Sequence, residues 1–119
     1  MPGTRPGKVG VYELLQDHEV PEASIRVIRM AADGQAVERH LHHRSTQIYV
    51  ALEGQAIVER EGVDTRLEPY EVCVVPQDVA HGAYAVGGTA IVMNISIPPL
   101  SADDQVLVPK IEATARWGD

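Results

Sequence analysis

Four residues of this 119-residue chain have the types and spacing to do chemistry together: His40, His42, Gln47 and His81. In an extended strand, side chains at i and i+2 share a face. His40 and His42 therefore turn their imidazoles the same way, and Leu41 turns away. The polar link His43-Arg44-Ser45-Thr46 leads back to Gln47, and a tight return sets that amide beside the pair. His81 lies much further along, after the turn Pro76-Gln77-Asp78-Val79-Ala80, where another strand begins. Three imidazoles and an amide oxygen suit one divalent transition ion. Zn, Ni, Fe, Mn and Cu are not distinguished by such a donor set. On spacing alone, an exposed strand that carries two histidines fits as well.

The elements that must position these residues read as short strands. Ser24–Ala31, Gln35–His42, Gln47–Leu52, Gln55–Arg60, Val63–Leu67, Val72–Val75, His81–Val86 and Thr89–Ile97 are β-rich runs separated by Gly, Pro or Asp. Gly87-Gly88 reads as a tight hairpin. Such spacing predicts an all-β sandwich or barrel, and no stretch has sustained helical periodicity. Ser101-Ala102-Asp103-Asp104 offers a cap for a short helix after the sheet. The expected organisation is an N-terminal segment over 1–23, packing on the barrel or on a partner, a barrel over 24–98, and a C-terminal tail over 99–119.

Composition narrows the function. The net charge of -7 argues against nucleic acid. The start of the chain lacks an apolar core of the kind a signal peptide needs, and no later run is apolar enough to span a membrane. The single cysteine, Cys73, sits in an apolar run, which favours a reducing, cytoplasmic setting. The absence of phenylalanine leaves a core of Val, Ile, Leu and Ala, suited to a small barrel with room for a ligand. Open strand edges and an outer apolar face call for cover, so a homodimer is expected.

The residue pattern resembles the cupin family. Its first motif runs Gly, five residues, His, one residue, His, three or four residues, Glu, six residues, Gly. Here Gly34, His40, His42, Gln47 and Gly54 keep every spacing, and only the glutamate is changed. The second motif keeps Pro76 and His81, with Tyr70 and Asp78 at its two glycines and Ala85 at its asparagine. The resemblance covers about Ser24 to Pro98. It implies a double-stranded β-helix (jelly-roll) barrel with one metal held by His40, His42, Gln47 and His81.

Glutamine in place of glutamate leaves the donor set uncharged, so a bound ion would keep its full double charge. A unit charge about 4 Å away is worth roughly 4 kcal/mol at an effective dielectric near 20. The ion is then a stronger Lewis acid, and the pocket attracts a small anionic ligand. The shell resembles that of cupins that open unsaturated uronates, which implies rearrangement, isomerisation or lyase-type chemistry on a carboxylate. A three-histidine dioxygenase and a non-catalytic binding or sensing barrel are the alternatives. Tyr49 shares a face with Gln47 and is the candidate proton donor. Arg26 and Arg29 lie on opposite faces of one strand, so at most one points inward to fork onto a carboxylate. His18 and His43 read as surface or supporting residues.

Overall fold

A computed structural model describes residues 7–109. Nine strands follow in order: β1 Gly7–Val9, β2 Tyr12–Val20, β3 Ala23–Met30, β4 His40–Leu41, β5 Thr46–Arg60, β6 Val63–Leu67, β7 Val72–Val75, β8 His81–Ile97 and β9 Val106–Leu107. Every pairing among them is antiparallel. The described residues contain no helix, and none is long and apolar enough to cross a membrane.

β8 is the spine of the curled sheet. Its C-terminal half lies between β3 and β5, and its first residue, His81, pairs with His40 of β4. β5 follows β8 from end to end, Thr46 opposite Ile97 and Arg60 opposite His81. Alternation then decides what faces the interior. Tyr49, Ala51, Ala56 and Val58 of β5 are buried, as are Ala83, Ala85, Ala90 and Val92 of β8, with Ile28 and Met30 of β3. Cys73 and Val75 of β7 and Tyr12 of β2 complete the core. Each large aliphatic side chain buried there contributes about 1.5–3 kcal/mol. The many alanines keep the walls thin.

The strand reading needs four corrections. Gln47–Leu52 and Gln55–Arg60 are one strand, β5, which runs through Gly54. A Cβ at Gly54 would collide with the backbone oxygen of Thr89, so the bend needs glycine. Gly87-Gly88 is not a hairpin but a bulge inside β8. Gln55 pairs with Val86 while Glu53 pairs with Ile91, so β8 carries extra residues at the corner and both strands bend together. Of the expected run Gln35–His42, only His40–Leu41 is strand. The rest is a loop in which Asp33 Oδ1 accepts from the Gln35 N–H, and Tyr12 Oη accepts from the Val37 N–H. Ser101 to Asp104 forms a turn rather than a helix, closed by Asp104 N–H donating to Ser101 O at 3.0 Å.

The N-terminal segment forms the β1–β2 hairpin, and β2 extends the sheet beyond β3. The C-terminal segment returns as β9 beside β4. Residues 1–6 and 110–119, where an arm to a partner was expected, lie outside the described residues.

Candidate metal centre

β4 is only two residues long, so His40 needs support from outside its own strand. β8 pairs it on one side and β9 on the other. Arg39 adds a bidentate ion pair to Glu59, Nε to Oε1 at 2.8 Å and Nη2 to Oε2 at 3.0 Å, on the face away from the site. His42 follows in the loop, Gln47 lies on the inner face of β5, and His81 opens β8. All are buried: His40 7 %, His42 2 %, Gln47 3 % and His81 0 % exposed.

The three rings meet. Ring centroids lie 4.8 Å apart for His40 and His42, 4.6 Å for His40 and His81, and 5.6 Å for His42 and His81. One ring nitrogen from each falls within 4.8 Å of the others. Hydrogen bonding fixes which nitrogen that is. His40 Nδ1 donates to Glu38 O at 2.7 Å, His42 Nδ1 to Asp104 O at 2.5 Å, and His81 Nδ1 to Val79 O at 3.0 Å. A carbonyl can only accept, so each Nδ1 carries the proton and each Nε2 presents a lone pair. Burial lowers the pKa of His40, and it lowers that of His81 to about 4 with the neighbouring imidazoles adding to it. The pocket thus keeps them neutral, the form that binds metal.

These lone pairs fit a cation better than they fit one another. His42 Nε2 is buried with no partner. His81 Nε2 faces Gln47 Oε1 at 2.8 Å, acceptor against acceptor. The amide is held this way round by its nitrogen, which donates to Asn94 Oδ1 at 3.2 Å and Ser96 Oγ at 3.1 Å. The reversed amide would donate to His81; the orientation present instead leaves the amide oxygen free to face a cation beside the Nε2 atoms. Three neutral imidazoles and a neutral amide oxygen suit a borderline divalent ion.

A cavity of about 470 Å³ opens on this cluster, within the size range of small-molecule sites. His40, His42, Gln47, Tyr49, Arg26 and Asn94 bring polar groups to it. The Tyr49 ring stands edge-on to His81 at 6.1 Å, and burial pushes its phenol pKa far up, so it holds its proton. Of the two arginines, Arg26 turns inward with Ile28 and Met30. Arg29 turns outward to Glu13 at 2.5 Å. His43 is exposed and pairs with Asp78 at 2.6 Å, tying the two motif loops together, and exposed His18 bonds Gln16. Tyr70 and Asp78, which stand where the motif has glycine, keep left-handed backbone, with φ 74° and 66°. Asp104, Asn94 and Tyr12 were not singled out from the sequence. Only strand alternation, counted from Val92, could have pointed to Asn94.

The comparisons with known proteins agree with this geometry. The cupin domain model matches residues 26–98, and no curated protein matches the chain. Among solved structures, KdgF from Halomonas sp. is 24 % identical with a TM-score of 0.71, covering 83 % of this chain and 89 % of that one. An RmlC-like cupin from Shewanella frigidimarina is 24 % identical with a TM-score of 0.72, covering 84 % and 87 %. A variant of Pac13 from Streptomyces, solved with uridine, is 15 % identical with a TM-score of 0.77, covering 95 % and 91 %. With a double-stranded β-helix, both histidine motif segments in place and a family model spanning the barrel, the chain belongs to the cupin family.

Proposed function

We propose that this cupin is a metal-dependent enzyme that rearranges a small organic anion, by isomerisation or lyase-type chemistry on a carboxylate or uronate-like substrate. The observation that carries the reading is the set of unspent lone pairs: His42 Nε2 without a partner, and His81 Nε2 against Gln47 Oε1. His40, His42, Gln47 and His81 would hold one divalent ion, and that ion supplies Lewis-acid polarisation of a substrate oxygen. Gln47 adds no negative charge, so the site stays attractive to an anion in a chain whose net charge is -7. Tyr49 keeps its hydroxyl proton and serves as a hydrogen-bond or proton donor rather than a base. Val37, Ile28 and Leu107 add apolar lining to the same pocket.

The working unit is read as a cytoplasmic homodimer. Its support is the outer sheet face, where Val72 and Val74 of β7 are exposed beside Ile48 and Val50 of β5. Elemental analysis of the purified protein, followed by a screen of small carboxylates and uronates for turnover, tests the proposal. A stoichiometric divalent ion and turnover of a carboxylate are expected. Protein that takes up no ion under any loading condition sinks it.

A further inference from the structure

Register across the barrel aligns a polar rung on the inner face. Tyr49 of β5 pairs with Asn94 of β8, Asn94 with Arg26 of β3, and Arg26 with Asp17 of β2. Neighbouring strands lie about 4.8 Å apart, so Asn94 stands one strand from Tyr49 and Arg26 one strand beyond. Arg26, Asn94 and Tyr49 line the same cavity as His40, His42 and Gln47.

Two side chains on this rung carry N–H groups with no acceptor among the described residues. Asn94 Oδ1 accepts from Gln47 Nε2, which leaves Asn94 Nδ2 buried without a partner. A buried N–H without an acceptor is costly, and a polar ligand removes that cost. Arg26 is 33 % exposed, and its single charged contact is Nε to Asp17 Oδ1 at 3.5 Å. Among the described residues its Nη1 and Nη2 meet no acceptor. A guanidinium presents those two N–H groups as a planar fork matched to a carboxylate.

We infer that Arg26 and Asn94 form a substrate subsite beside the histidine cluster, in which Arg26 takes the carboxylate of a small oxygenated acid and Asn94 Nδ2 donates to an uncharged oxygen on the same molecule. The inference rests on the functional reading above and adds the residues that select the substrate. Gln47 links the two parts. With its oxygen turned to the cluster, its nitrogen occupies Asn94 Oδ1, and the Asn94 donor is left to the pocket. Asp17 is the competitor, its carboxylate 3.5 Å from the guanidinium Nε.

Calorimetric titration with D-galacturonate and with its uncharged methyl ester tests the subsite, on metal-free and metal-loaded protein with metal content measured on each sample. The parent should bind the acid at least tenfold more tightly than the ester. Arg26→Gln should cost the acid tenfold or more and leave the ester unchanged, and Arg26→Lys should restore part of the loss. Asp17→Asn should tighten the acid alone, a gain that a merely structural role for Arg26 would not produce. Asn94→Ala should weaken both ligands alike. Equal affinity of the parent for acid and ester, or an Arg26→Gln protein that keeps its ion and binds the acid as well as the parent, overturns the carboxylate clamp. An Asn94→Ala protein that keeps its ion and binds both ligands undiminished removes Asn94 from the subsite. Protein that takes up no ion under any loading condition, yet whose acid affinity still depends on Arg26, supports the clamp while refuting the metal reading.

Discussion

His81 Nε2 stands 2.8 Å from Gln47 Oε1, and with the His81 proton on Nδ1 neither atom has a hydrogen to give the other. The His81 proton is committed to Val79 O, and the Gln47 amide hydrogens go to Asn94 and Ser96. The chain spends hydrogen bonds to aim two lone pairs at one place, which is how metal ligands are oriented.

Gln47→Glu tests what the missing charge does. A carboxylate at this position still offers an oxygen, so the ion is expected to stay. The added charge should weaken a small carboxylate ligand at least tenfold, since a unit charge about 4 Å away is worth several kcal/mol in a partly desolvated site. An uncharged analogue should be little affected. Equal carboxylate affinity for parent and variant, measured by titration calorimetry, would show that the charge argument is wrong.

His42→Ala should abolish stoichiometric ion uptake while leaving the barrel folded. The ring is buried, but its Nε2 makes no hydrogen bond among the described residues. An ion that binds only the folded state stabilises it by about 2.7 kcal/mol at one hundred times its dissociation constant. Thermal melts with and without chelator should therefore separate for the parent and coincide for the variant.

Much of the centre was legible because the histidine spacing encodes local geometry. The i, i+2 spacing brings the His40 and His42 rings together although His42 lies just past the end of β4, and Gln47 follows from a short return. The bends were not legible. Gly87-Gly88 and Gly54 look like turn residues in sequence, yet each lies inside a strand. Whether glycine ends a strand or bends it depends on the strand it pairs with, here β5 against β8. The choice between Arg26 and Arg29 was hidden for a related reason. Ile25 and Val27 face outward while Ile28 and Met30 face inward, so both faces of β3 are apolar and alternation alone marks neither as the core side. Asp104 ends the segment Ser101-Ala102-Asp103-Asp104, whose local context fits a helix cap. Its true acceptor role is to residues about sixty positions away.

Stability of the metal-free protein should fall as the pH drops from about 6.5 towards 4. Burial first, then the neighbouring imidazoles, lowers the His81 pKa from 6.5 to about 4, and burial lowers that of His40. Above the unfolded value both states are neutral and the stability is complete. Below it the unfolded chain takes up protons that the folded chain refuses, and stability is lost until the folded pKa is passed. His81 alone accounts for up to about 3 kcal/mol of this fall. Urea titrations of chelator-treated protein across that range measure it, and His81→Gln should flatten the curve.

Asp104 joins the C-terminal segment to the loop that carries His42. Its carboxylate accepts from the backbone N–H of His43 at 2.7 Å, Arg44 at 2.9 Å and Ser45 at 3.3 Å, while its carbonyl orients His42. Asp104→Ala should cost about 2–3 kcal/mol, since it removes charge-assisted hydrogen bonds and strands buried donors. It should also weaken ion binding tenfold or more, although residue 104 touches no ion. Asp104→Asn keeps the shape without the charge and should fall between. Ion affinity that survives Asp104→Ala unchanged would show that the loop holds His42 without this residue.

The outer sheet face carries the homodimer prediction. Val72 and Val74 of β7 point outward beside Val50 and Ile48 of β5, and the ladder continues through Met93 and Ile95 of β8 to Val27 and Ile25 of β3. Apolar side chains on one face of four adjacent strands form a patch that soluble monomers rarely leave bare. Among the described residues β7 pairs with no strand but β5, and Arg60 Nη1 donates to Val74 O at 2.9 Å. A second copy related by two-fold symmetry would cover both faces with the same residues. Sedimentation should therefore find twice the 12.9 kDa chain mass. Val50→Lys with Val74→Lys places two charges in the patch without touching the pocket, so it should yield monomers that still take up the ion. A parent that sediments as a monomer at tens of micromolar would leave this face needing a different explanation.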